Sequence, residues 1–176
     1  MKTLIFSAFL MILALSSFTQ TKVRIDQKMG FDTPELQKKL NEAVGLFEKT
    51  INTNEFANLV LTKKLLRRNG LSSNGVLDKI LNGEELGTIP DQIINLSLKV
   101  DTTFRNEIGH TTGKIIATQK NYILEHSAQC YAAHLIHEYC HVLGFSHPKR
   151  RTWRRAKTVP YQIGYIVRDI LGEKCP

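Results

Sequence analysis

Apolar residues recur at Leu36, Leu40, Val44, Phe47 and Ile51, the spacing of a helix with one buried face. Thr33, Pro34 and Glu35 just before them read as a helix start: a capping hydroxyl, a proline at the first helical position and an acid in the first turn. Further on, Ile94, Leu96, Leu98 and Val100 alternate with Asn95, Ser97, Lys99 and Asp101, which predicts a strand with one buried face. Residues 108–112 and 114–118 flank Gly113 and read as a hairpin, or as two short strands around a turn. A second strong helix is predicted over 127–143, stopped by Gly144. Val159-Pro160-Tyr161 reads as a kink, followed by a last helix to about residue 171. Residues 20–31 read as a polar lead-in, 70–75 as a loop and 75–81 as a short helix, while 55–68 suits a helix or a strand equally. Helices mixed with a few strands, with no internal repeat, predict a single α+β domain.

The amino terminus is different in kind. Met1-Lys2-Thr3 precedes an uncharged apolar run over 4–15, and small residues Ser16, Ser17 and Thr19 follow. That is the pattern of a secretory signal over 1–19, leaving 20–176 as one folded domain outside the cytoplasm, secreted or periplasmic. The run is short for a membrane span. Of the whole chain, 42% is hydrophobic and 23% charged, an ordinary globular balance that excludes a disordered tail, a collagen or a multipass membrane protein. The net charge of +8 favours anionic partners without choosing among them.

Export permits disulfides. Cys130 and Cys140 share one predicted helix, where ten residues span about 15 Å. Bridged Cα atoms lie within about 7 Å. Any intrachain bond therefore uses Cys175, with either Cys130 or Cys140.

All six histidines lie between His110 and His147. On a helix His137 and His141 are four apart and project from one face, so their imidazoles can grip a single zinc ion. Glu138 flanks that face, close enough to hold a water on the metal. Gly144 follows His141 by three residues and can take the left-handed conformation that ends a helix and returns the chain, bringing His147 to the metal. Three histidines and a water form an open site of the catalytic kind. His134 lies too far from His141 along the helix, about 10 Å, to share one ion with both ligands. It reads as a supporting or surface histidine, with a second metal as the other option. His110 reads as structural or substrate-facing, and His126 as exposed at the helix start.

The segment 137–147 resembles the extended zinc motif of the metzincin metalloproteases, His-Glu-x-x-His-x-x-Gly-x-x-His, at every fixed position. The resemblance implies a zincin-like domain: a small twisted sheet, an active-site helix and a backing helix. It places the strand over 96–100 in that sheet and the segment 108–118 at its substrate-binding edge. It implies one zinc per chain on His137, His141 and His147, Glu138 as general base, and a secreted endopeptidase acting on peptide or protein substrates. Metzincins also keep a methionine in a tight turn beneath the zinc. Here Met1, Met11 and Met29 all precede the motif. Thr158-Val159-Pro160-Tyr161 stands in its place, with Val159 at the methionine position. Because a tyrosine near that turn binds zinc or the oxyanion in some metzincins, Tyr161 is the implied oxyanion donor.

Residues 149–157 hold six basic residues and no acid, from Lys149 to Lys157. They read as a solvated loop or as a positive rim attracting acidic substrate or an anionic surface. Trp153 among arginines can stack on a base, but no specific nucleic-acid site is expected. A monomer is expected. A competing enzyme reading takes a downstream carboxylate, Asp169 or Glu173, as third ligand. A competing non-enzyme reading is a secreted basic binding module whose zinc site is structural or catalytically silent.

Overall fold

The computed structural model describes residues 20–103 and 107–175, so the signal expected over 1–19 lies outside the described residues. The fold is α+β, and the described residues form six α-helices and a mixed four-stranded sheet. No described helix is long and apolar enough to cross a membrane.

The sheet runs β1 (Lys22–Met29), β2 (Ile93–Asp101), β4 (Ile115–Gln119), β3 (Gly109–Thr112) in spatial order. β1 is parallel to β2 and β2 to β4, while β3 lies antiparallel to β4 at the far edge. The alternation in β2 does what its pattern requires: Ile94, Leu96 and Leu98 are fully buried between polar neighbours. The hairpin around Gly113 is present, with φ +59° at that glycine. The polar lead-in expected over 20–31 is instead a strand. Val23 and Ile25 pack against the core and the charged residues flanking them, Lys22, Arg24 and Asp26, face water, as suits an edge strand beside β2.

Helix α1 (Pro34–Ile51) begins as its sequence requires, Thr33 Oγ1 accepting the Leu36 N–H at 3.3 Å. The undecided stretch resolves into α2 (Asn54–Thr62), capped by Thr53, followed by an extended strap. α3 (Ser73–Leu81) starts before the expected position because Ser72 caps it, with Gly75 inside its first turn. A short α4 (Lys120–Glu125) follows β4. α5 (Ala128–Val142), capped by Ser127, lies between α1 and α6 (Val159–Ile170). Val159-Pro160-Tyr161 is thus not a kink but the first turn of α6, where a proline costs no hydrogen bond.

Polar groups lock α5 in the core. The buried Glu85 carboxylate accepts from Tyr139 Oη at 2.9 Å, the Asn95 N–H at 2.9 Å and Thr88 Oγ1 at 3.1 Å. Cys175 is the partner of Cys130, with Cα atoms 5.5 Å apart, and this bond ties the chain after α6 to the start of α5. Cys140 is free and buried.

Candidate metal centre

The helical part of the site follows from α5. His137 and His141 stand one turn apart on one face, their rings 5.4 Å between centroids. The helix then ends in a double bond pattern: Phe145 N–H donates to Cys140 O and Gly144 N–H to His141 O, both at 2.9 Å. Gly144 carries this turn at φ +89°, a left-handed conformation that favours a residue without Cβ. Phe145 is buried behind it. The reversal brings the His147 ring within 4.8 Å of His141 and 5.5 Å of His137. One nitrogen from each of the three imidazoles lies within 4.8 Å of the other two, close enough to hold a metal ion.

The donor chemistry fits a metal. His141 Nδ1 sits 2.8 Å from the Phe145 carbonyl. That contact requires a proton on Nδ1 and leaves the Nε2 lone pair free. Burial, aided by the neighbouring imidazoles, holds His147 down to about 4 and His137 well below its ordinary value. Burial likewise lowers His141. Neutral imidazole is the form that binds metal.

The buried Glu138 borders the same space. Its Oε2 accepts from Thr111 Oγ1 at 2.8 Å, and its Oε1 is 4.0 Å from His137 Nε2. Burial pushes its carboxyl up to about 7, against the lowering effect of the Thr111 bond. Thr111 belongs to the edge strand β3, so the sheet margin reaches the acid directly.

Tyr161 packs edge-on against His137 with centroids 4.6 Å apart and lies 5.0 Å from His147. Its Oη accepts from Arg155 Nε at 2.8 Å, which fixes the phenol and leaves its own proton to be donated elsewhere. Arg155 is itself held by the Lys149 carbonyl. Below, Gly164 of α6 lies so close to α5 that an added Cβ would meet Ala133 O at 3.2 Å and His137 Cβ at 3.3 Å. Val159, at the expected methionine position, is fully buried. The strap after α2 braces this floor: Val159 N–H donates to Leu66 O at 3.1 Å and Asn69 Nδ2 to Gly144 O at 3.0 Å.

The remaining histidines stay apart from this group. His134 Nε2 lies 3.1 Å from Thr118 Oγ1, beneath β4, in a space that the bare Gly109 leaves open. Burial holds His134 down to about 3. His110 lies on β3, and the half-buried His126 packs its ring 4.5 Å from Tyr122 rather than standing free in water. Asp169 pairs with Arg168 at 2.8 Å on the exposed face. Among the described residues, the three histidines make up the metal-capable cluster, without Asp169 or Glu173.

Sequence reasoning missed Thr111, Arg155, Gly164 and the strap. Each acts on the site through tertiary contact, and no local pattern announces it. Comparison with models of known families, with curated proteins and with solved structures returns no match. The site is therefore read from its own geometry and chemistry.

Proposed function

We propose that this chain is a secreted, zinc-dependent endopeptidase of the metzincin kind. The observation that carries the reading is the cluster of three imidazole donors within 4.8 Å, with a buried carboxylate on the adjacent residue. His137, His141 and His147 hold the ion, and three nitrogen donors suit zinc. Zinc bound there supplies a Lewis acid and lowers the pKa of a bound water toward about 7.

The chain's own groups supply the rest. Glu138 takes the proton of the attacking water and returns it to the leaving amine. In the metal-free chain burial lifts this carboxyl to about 7. A cation at the histidines draws that value down again. Thr111 holds Glu138 in place through one oxygen and leaves the other, Oε1, toward the ligands. Tyr161, its phenol fixed by Arg155, donates a hydrogen bond to the developing oxyanion. Among the described residues β3 is the outer strand of the sheet, the position at which an extended peptide adds as a further strand.

The test is hydrolysis of unfolded casein by the zinc-loaded chain and by its Glu138→Ala variant. The variant should lose about 10²–10⁴-fold in rate while retaining its zinc. Equal rates in the two proteins, or zinc lost from the variant, would overturn the assignment.

A further inference from the structure

Two basic stretches far apart in the sequence meet beside the metal centre. The strap after α2 carries Lys63, Lys64, Arg67 and Arg68. Its Leu66 bridges Thr158, with Leu66 N–H donating to Lys157 O at 2.8 Å. That bridge lays the strap along the segment bearing Lys149, Arg150, Arg151, Arg154 and Lys157. All nine of these side chains are on exposed residues. Neither stretch contains an acid, and among the described residues none of these cations forms an ion pair. Crowded like charges repel one another, and an anionic partner relieves that repulsion.

Between the two stretches lies a cleft of about 360 Å³ lined by Lys64, Leu66, Trp153, Arg154 and Lys157. Trp153 is 65% exposed. The Arg154 guanidinium lies over its ring at 5.4 Å and the Lys157 ammonium at 5.0 Å. The indole thus serves as a platform that props two cations at the cleft. What the cleft presents is charge above an apolar floor, not a bare aromatic face waiting for a base or a sugar. The segment that lines the cleft is also tied to the metal centre through Arg155, which follows Arg154 in the chain. Lys149 follows His147 by two residues, and Arg155 ties the Lys149 carbonyl to Tyr161.

We propose that this cleft docks an acidic segment of a polypeptide substrate, its Asp and Glu carboxylates held by Lys64, Arg154 and Lys157 while the chain continues to the metal centre. The inference rests on the peptidase reading and deepens it by naming a substrate class.

Trp153 is the only tryptophan in the chain, so its fluorescence reports on the cleft directly. The metal-free chain is titrated with a glutamate-rich peptide, its glutamine counterpart, a single-stranded oligonucleotide, heparin and phosphatidylserine vesicles. The glutamate peptide should change the signal saturably, with affinity falling as salt rises. A Lys64→Ala/Arg154→Ala/Lys157→Ala variant, in which the indole remains, should bind it about tenfold more weakly. No saturable response, equal affinity for the glutamine peptide, or undiminished binding by the variant would overturn the proposal. So would binding of the oligonucleotide, heparin or vesicles about tenfold tighter than the glutamate peptide.

In a second arm, the zinc-loaded parent and variant cleave one peptide with an acidic flank and one with a neutral flank. The variant should lose kcat/KM on the acidic peptide alone, and the neutral peptide controls for folding. Equal losses on both would overturn the proposal. If the parent cleaves neither peptide, the peptidase reading and the substrate role fail together, while the fluorescence arm still decides whether the cleft takes an acidic polypeptide.

Discussion

Between His137 and His147 the chain is shaped largely by bonds inside the segment. Cys140 and His141 accept from Phe145 and Gly144, and the Phe145 carbonyl meets the His141 ring. Beneath it, residues 155–164 are held by distant parts of the chain. Leu66 pairs with Thr158 and Val159, and Gly164 presses on Ala133 and His137. The ligand arm is a local device that can be written in a few residues. The floor is a tertiary one and exists only once the strap, α5 and α6 have met. Substitutions in the two regions should therefore fail in different ways.

After the loss of Glu138, the largest expected effect falls on the floor's one chemical group. Tyr161→Phe keeps the ring against His137 and removes only the hydroxyl that Arg155 positions. Steady-state kinetics on a peptide substrate should show kcat lower by about 10²–10³, with KM and zinc content little changed. If Tyr161 only packs beneath the ligands, Tyr161→Phe will match the parent and Tyr161→Ala will lower the melting temperature instead.

The next effect is on packing. Gly164→Val places atoms where Ala133 O and His137 Cβ already stand within 3.3 Å of an added Cβ. Denaturant unfolding should show a loss of about 1–3 kcal/mol. Gly45, also in a helix, is its control: nothing lies within 4 Å of a Cβ added there. Gly45→Ala should raise stability by about 0.5–1 kcal/mol through helix propensity. A harmless Gly164→Val would mean that α5 and α6 can separate without cost, and the floor would not be the tight support described.

In the ligand arm, Gly144→Ala forces a side chain into a backbone at φ +89°. The three atoms nearest an added Cβ all belong to the exposed Leu86 side chain, which is free to move, so the cost is mainly conformational, about 1–2 kcal/mol. Zinc affinity should fall along with stability, because the same turn returns His147. Gly164→Val should lower stability by more than it lowers zinc affinity. Calorimetric zinc titration of both variants sharpens the contrast, and a reversed order would break it.

This difference explains what could be read from the sequence. The α1 cap, the β2 alternation, the hairpin and the α5 helix with its glycine stop are local patterns, and all are present. The strand β1 was hidden because its polar edge residues dilute the alternation. The first turn of α6 read as a kink because proline both breaks and begins helices. Thr111 and Arg155 carry no local sign of their roles, which depend on which strand edge and which loop the fold brings to α5.

A smaller effect comes from the half-buried His134, one turn before His137 on the same helix. The unfolded chain binds a proton there near 6.5, and the folded chain resists it down to about 3. Stability of the metal-free chain is therefore unaffected by this group above pH 6.5. It falls as the pH drops through that window, by at most about 1.4 kcal/mol per pH unit for one histidine. Unfolding curves across that window should be flatter for His134→Gln than for the parent. Parallel curves would show that His134 already takes up its proton in the folded protein.

X-ray absorption at the zinc edge of the loaded chain tests the centre most directly. The account predicts one zinc per chain with three imidazole nitrogens at about 2.0–2.1 Å and one further light atom. A sulfur scatterer at about 2.3 Å, from Cys140, or fewer than three imidazoles would contradict it.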